Sequence, residues 1–150
     1  MFPDLLALST ARPRGWLLAA LPRWPALGAA LLLALTGSLA AAASPAELLA
    51  AYTAEAGAAA SAVRGEAFFT SRHGREWACA SCHGAKPVQD GKHAATGKVI
   101  GPLAPAFNPQ RFTEAGKADK WFRRNCQDVV GRTCTAAEKA DVLAWLVSLR

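Results

Sequence analysis

The 150-residue chain contains one methionine, and it is Met1. Any form that loses its N-terminus has no thioether side chain left, which excludes methionine as a metal ligand. Histidine is scarce as well, with only His73, His83 and His93, so each imidazole can be weighed singly. No stretch alternates apolar and polar residues long enough to read as a convincing strand, which excludes a sheet-based fold. No internal repeat is present, which excludes solenoids and propellers. Between Pro25 and Ala43 there is no charged residue, and no Arg-Arg pair precedes that run. That argues against the twin-arginine export route.

The N-terminal third reads as a targeting segment. Arg12, Arg14 and Arg23 make a positive region, and the apolar heart, Leu31 to Leu39, is too short to span a bilayer comfortably. Ala41-Ala42-Ala43 before Ser44 fits an A-x-A cleavage site. The expectation is a secretory signal over residues 1–43, a domain over 44–150, and a periplasmic product cleaved near Ala43. The alternative is an uncleaved anchor built on Trp16 to Leu39. Cleavage leaves 107 residues with 14 Lys or Arg against 10 Asp or Glu. A core from so short a chain is modest, and a large apolar prosthetic group would complete it. The basic balance in an exported protein points to an acidic protein partner and away from nucleic acid.

The rest of the chain reads as all-α. Ser44-Pro45-Ala46-Glu47 is a capping box with proline at the first helical position, and the helix it opens should end near Gly57. A second helix is expected from about Ser61 to Arg72, with Gly65 inside it where another helix could approach closely. From Gly84 to Gln110 the chain is rich in Gly and Pro and should be loop. A third helix is expected from about Thr113 to Asn125, with Trp121 and Phe122 as its apolar anchors. The last opens on a second capping box, Thr135-Ala136-Ala137-Glu138, and carries Val142, Trp145, Leu146 and Leu149 as one stripe.

Within this frame sits Trp77-Ala78-Cys79-Ala80-Ser81-Cys82-His83-Gly84. Cys-x-x-Cys-His is the covalent attachment run for c-type haem. Two thiols at this spacing reach the two vinyl groups, and the adjacent histidine is carried under the iron. Cys79 and Cys82 are thus the candidate anchors and His83 the proximal ligand. Three other readings fit less well. Zinc would need Cys126 and Cys134 as a second close pair, and seven residues separate them. A redox dithiol needs a βαβ setting that is missing. A plain structural disulfide would leave His83 unexplained. An N-terminal helix with glycine and aromatics (Gly65, Phe68, Phe69), crossed by a C-terminal helix with Trp145, gives a cytochrome c-like fold around one haem c.

The missing methionine then becomes informative, because methionine is the usual distal ligand of such domains and raises the potential. Four side chains remain as substitutes. His73 precedes the motif and is expected to face solvent. His93 lies in the loop and is expected at the surface. Asn108, between Phe107 and Pro109, reads as a turn residue. Asn125 reads on its own as a helix C-cap, and it immediately precedes Cys126. Cys126 and Cys134, enclosing QDVVGRT with Gly131 at the turn, should pair as a disulfide in an exported protein.

Several segments carry a resemblance. WFRRNC, VVGRTC, EKADVLAWL and TGKVIGPLAPAFNPQRFT are similar to the sphaeroides haem protein (SHP) family of class I-like monohaem c-type cytochromes, and the likeness covers essentially all of the chain after the signal. The resemblance implies one covalent haem, a histidine proximal ligand, and an asparagine distal ligand in the oxidised state, which maps onto Asn125. It implies that this asparagine leaves on reduction and that oxygen or nitric oxide then binds. It implies a disulfide beside that asparagine, Cys126 with Cys134. As electron donors it implies a dihaem cytochrome c and a membrane cytochrome b.

Chemistry supports the implied switch: a carboxamide oxygen is a hard, weak ligand that suits ferric iron better than ferrous. Arg123 and Arg124 flank Asn125 and serve either a bound anion or docking. Lys117, Lys120, Arg111 and Arg132 extend the basic surface. Trp77 and Trp121 are expected to wall the haem. Two alternatives stay open, a periplasmic electron carrier with a permanent distal ligand such as His93 or a lysine, and a gas sensor or scavenger. No second acid–base group is well placed, so no catalysed reaction is assigned. N-terminal sequencing of the exported protein should begin Ser-Pro-Ala-Glu; a product retaining Trp16 to Leu39 in membranes would establish the anchor instead.

Overall fold

The computed structural model describes residues 43–150; the expected signal peptide lies outside the described residues, apart from Ala43. None of the helices described is long and apolar enough to cross a membrane. In chain order the elements are α1 (Pro45–Ala56), α2 (Ala62–Thr70), α3 (Cys79–His83), β1 (Gly91–Lys92), β2 (Val99–Ile100), α4 (Ala115–Val129) and α5 (Ala136–Ser148). The all-α class expected from the sequence is present, with one short hairpin added.

Local chemistry sets the helix ends. The Ser44 hydroxyl accepts from the Glu47 N–H, and the Glu47 carboxylate accepts from the Ser44 N–H at 2.7 Å. Gly57, at φ +63°, stops α1. The Thr135–Glu138 box does the same for α5. There Glu138 also takes two bonds from the Arg132 guanidinium, which holds its carboxyl below the usual carboxylate range.

α5 is the central element. It packs on both α2 and α1. Its stripe of Val142, Trp145 and Leu146 faces Phe69 of α2, and Ala140 and Leu143 face Leu48 and Tyr52 of α1. The single stripe expected from the sequence is therefore half of a two-sided burial. At the crossing with α2 a side chain is impossible. A Cβ on Gly65 would overlap the carbonyl of Asp141. Close backbone contact is what the glycine allows, at a cost of about 1 kcal/mol in helix propensity.

Asp141 itself is buried, with 7% of its surface exposed. Its carboxylate accepts from the Ser61 N–H at 2.6 Å and from Arg64 Nε and Nη2 at 2.7 and 2.8 Å. It thus ties the first turn of α2 to α5. A second tie holds α4. The Tyr52 hydroxyl donates to Asp119 at 2.8 Å, Lys139 Nζ donates to the same oxygen at 3.1 Å, and Lys139 lies 4.2 Å from the centre of the Tyr52 ring. Burial, then Asp119, push the Tyr52 hydroxyl well above its ordinary value. Phe122 of α4 packs against both halves of the core.

Three boundaries differ from the sequence expectation. α2 ends at Thr70, because His73 (φ 52°) and Gly74 turn the chain. β1 and β2 form a two-residue antiparallel hairpin, too short to leave an alternation in the sequence. α4 runs to Val129 instead of ending at Asn125. The segment between Gly84 and Gln110 is organised by its own bonds: the Pro87 carbonyl accepts from Leu103 and Ala104, and Arg111 donates to the Gly101 and Pro102 carbonyls at 2.9 Å each.

Gly65→Ala should lower the denaturant midpoint by at least about 2 kcal/mol of stability at unchanged slope. Gly116→Ala, where an added methyl meets nothing within 4 Å, should cost nothing measurable.

Candidate functional site

The motif folds as its own short helix. In α3 the Ser81 hydroxyl accepts from the Ala78 N–H at 3.0 Å, and Gly84, at φ +77°, ends the turn directly after His83. One helical turn separates Cys79 from His83. β1 locks the back of this turn, since a Cβ on Gly91 would overlap the Cys82 carbonyl. The Ala94 N–H donates to Cys82 Sγ at 3.3 Å. Neither motif cysteine is joined in a disulfide. Burial pushes the Cys79 thiol up to about 11.

His83 is half-buried, with its ring 6.2 Å from that of Phe69, which in turn lies 5.0 Å from Trp145. The α2–α5 crossing therefore sets the floor on which the imidazole rests. Burial first, and the Arg111 charge second, push its pKa down to about 4. At neutral pH the ring is uncharged, the form that ligates a metal. It makes no hydrogen bond to protein among the described residues.

The other candidates are placed differently from one another. His73 is not solvent-facing as expected: it is half-buried against Phe68, 4.2 Å between ring centres, and its Nε2 lies 2.7 Å from the Phe68 carbonyl. His93 is exposed, as expected, and belongs to the hairpin that packs on Cys82. Its Nδ1 accepts from the Thr96 N–H at 3.3 Å, which leaves the ring proton on Nε2. Asn108 is spent on the loop, donating to the Pro102 carbonyl and accepting from the Gln110 N–H.

Asn125 corrects the C-cap reading. It lies inside α4, four residues before the end, so its side chain is not needed at the helix terminus. It is exposed on the protein atoms, and its carboxamide makes no hydrogen bond among the described residues. Its neighbour Cys126 is buried and joined to Cys134 as a disulfide. Val130 and Gly131 N–H groups both return to the Cys126 carbonyl. Gly131 sits at φ +81°, and the Arg75 guanidinium lies against it. One turn before Asn125, Trp121 is 47% exposed, with the Arg124 guanidinium 5.9 Å from its ring centre.

Whether these residues fit a haem c can be judged from the protein atoms. Two cysteines outside any disulfide stand at the attachment spacing beside a neutral imidazole with no other partner. Large apolar side chains lie uncovered on the segments around them: Val99 on β2, Phe107 in the loop and Trp121 on α4. A flat apolar group is what such surface would cover. Trp77 is half-buried. The donor set and the uncovered surface both fit haem c. Sequence reasoning missed Asp141, whose only signal was a charge embedded in an apolar stripe. It also missed Gly91, which no local pattern marks.

Comparison with known proteins agrees. Residues 55–146 match a family described as a domain of unknown function, DUF1924. The cytochrome c-type protein SHP of Cereibacter sphaeroides is 49% identical over 115 residues, covering 74% of this chain and 88% of that protein. Cytochrome c'' of Methylophilus methylotrophus is 42% identical over 88 residues, 56% of this chain and 61% of that protein. Among solved structures, oxidised SHP, described as an oxygen-binding cytochrome c, superposes with a TM-score of 0.66 at 50% identity, over 69% of this chain and 96% of that one. Oxidised cytochrome c'' gives 0.62 at 37% identity, over 71% and 94%.

Gly91→Ala should lower the melting temperature and Gly116→Ala should not, both read by circular dichroism. Equal melting points would mean that the hairpin does not brace α3.

Proposed function

This chain belongs to the SHP family of monohaem c-type cytochromes, and from that premise we propose that it accepts electrons in the periplasm and opens a gas-binding site when reduced. Haem c, when bound, supplies the one-electron iron couple and two axial positions. Cys79 and Cys82 hold it through thioethers. His83, uncharged and backed by Phe69, is the proximal ligand. Asn125 would hold the iron of the oxidised protein through its carboxamide oxygen, and its weaker hold on the reduced metal would leave room for oxygen or nitric oxide.

The observation that carries the distal assignment is which polar side chains are already committed. No methionine remains after export. His73 and Asn108 spend their polar atoms on nearby backbone. His93 spends Nδ1 on the Thr96 N–H of its own loop, which keeps its ring proton on Nε2. Asn125 alone of the four has an unengaged donor oxygen among the described residues. A carboxamide is a hard, neutral oxygen ligand, so its preference for ferric over ferrous iron follows from ligand softness. The donors expected for such a protein are a dihaem cytochrome c and a membrane cytochrome b.

Visible spectra of the haem-loaded protein test this reading, taken oxidised, reduced, and reduced under carbon monoxide. A high-spin ferrous spectrum that shifts fully with carbon monoxide is expected. Asn125→Ala should turn the ferric spectrum high-spin and leave the ferrous spectrum unchanged. A low-spin ferrous spectrum indifferent to carbon monoxide would instead make the protein an electron carrier with a permanent ligand. Full binding without any ferric change in Asn125→Ala would move the ligand role to another residue.

A further inference from the structure

The sequence spreads positive charge widely, and the structure shows how much of it is already spent. Arg64 is bound to Asp141 and Arg132 to Glu138. Lys139 lies between Asp119 and Glu55. Arg111 is clamped on two backbone carbonyls, and Lys117 reaches Glu114 at 3.4 Å. Among the cations without a carboxylate partner in the described residues are Arg72 and Arg75 before the motif, Lys120, Arg123 and Arg124 on α4, and Lys86, Lys92 and Lys98 around the hairpin.

The α4 group is the denser, and the helix aims it. Ala118, Phe122 and Cys126 turn inward at spacing 4, so Lys120 and Arg124, also four apart, turn outward. Asp119, the acidic residue nearest this face, is already engaged by the Tyr52 hydroxyl and Lys139. Lys120, Arg123 and Arg124 line an open groove of about 510 Å³ with Gln127, Asp128 and Thr133. Asp128 is the single carboxylate on it.

We infer that this face of α4 docks the acidic surface of a protein electron donor, with Lys120, Arg123 and Arg124 as its charge contacts. The inference rests on reading the chain as an electron acceptor and names where the donor binds. Complementary charge chiefly speeds encounter and fixes orientation, and it is screened over a Debye length of about 8 Å at physiological salt. The donor therefore meets the same helix that carries Asn125.

The test uses an acidic flavodoxin as probe and the haem-loaded, isotope-labelled protein. Amide shifts are followed at low and high salt. Shifts should cluster on residues 117–128 and vanish as salt rises. Lys120→Glu with Arg124→Glu should weaken binding at least about tenfold at low salt. Lys92→Glu with Lys98→Glu makes the same change in net charge on the hairpin and should leave binding within about twofold. Unchanged visible spectra and melting points would show that both pairs fold. Equal loss from both pairs would reduce the effect to net charge and overturn the inference, and so would shifts centred on the hairpin. Binding is read without reference to gases, so a failure here leaves the Asn125 reading standing, and the carbon monoxide experiment can fail without touching this one.

Discussion

The fold depends on one contact, the backbone of α2 lying on the backbone of α5 where Gly65 meets Asp141. Only a residue without a side chain permits it, and the Asp141 carboxylate fastens it by taking Ser61 and Arg64 from α2. From this crossing Phe69 and Trp145 are brought together, and on Phe69 rests His83. A buried carboxylate is usually a liability, since charge is expensive to desolvate. Here it is fully bonded and sits at the edge of the core, with an Arg64 partner that is itself largely in water.

The two sides of the site are built by different means. The Cys79–His83 side is local: a five-residue helix closed by Gly84, backed by a two-residue hairpin that reaches Cys82 through Gly91 and Ala94. The α4 side is long-range. α4 is fixed at one end by Asp119 to α1 and α5, in the middle by Phe122, and at the other end by the disulfide to the start of α5. Arg75, from the segment before the motif, lies against Gly131 inside the disulfide ring and so links the two sides.

Much of this was legible in the sequence, for reasons that can be named. The capping boxes at Ser44 and Thr135 are local chemistry, and they set the starts of α1 and α5. Gly65 showed as a helix-breaking residue kept inside a helix, which is a packing signal. Cys-x-x-Cys-His showed because its spacing is dictated by the group it attaches. What stayed hidden was tertiary. Asn125 reads as a C-cap on sequence, whereas α4 runs on to Val129, where two N–H groups return to the Cys126 carbonyl. His73 looked free because nothing local says that a positive φ folds its ring back over Phe68. The hairpin is shorter than any periodicity, and Leu143 belongs to a second stripe that one period cannot display.

The closure of α4 has a further consequence. Helix ends fray, and the last turn is ordinarily the least protected part of a helix against hydrogen exchange. In this chain the turn after Asn125 is stitched by a covalent bond to Cys134, just before α5, and capped by two amides on one carbonyl, which works against fraying. Asn125 thus moves on a platform with no slack of its own. Its side chain can turn about its own bonds while the backbone keeps its place.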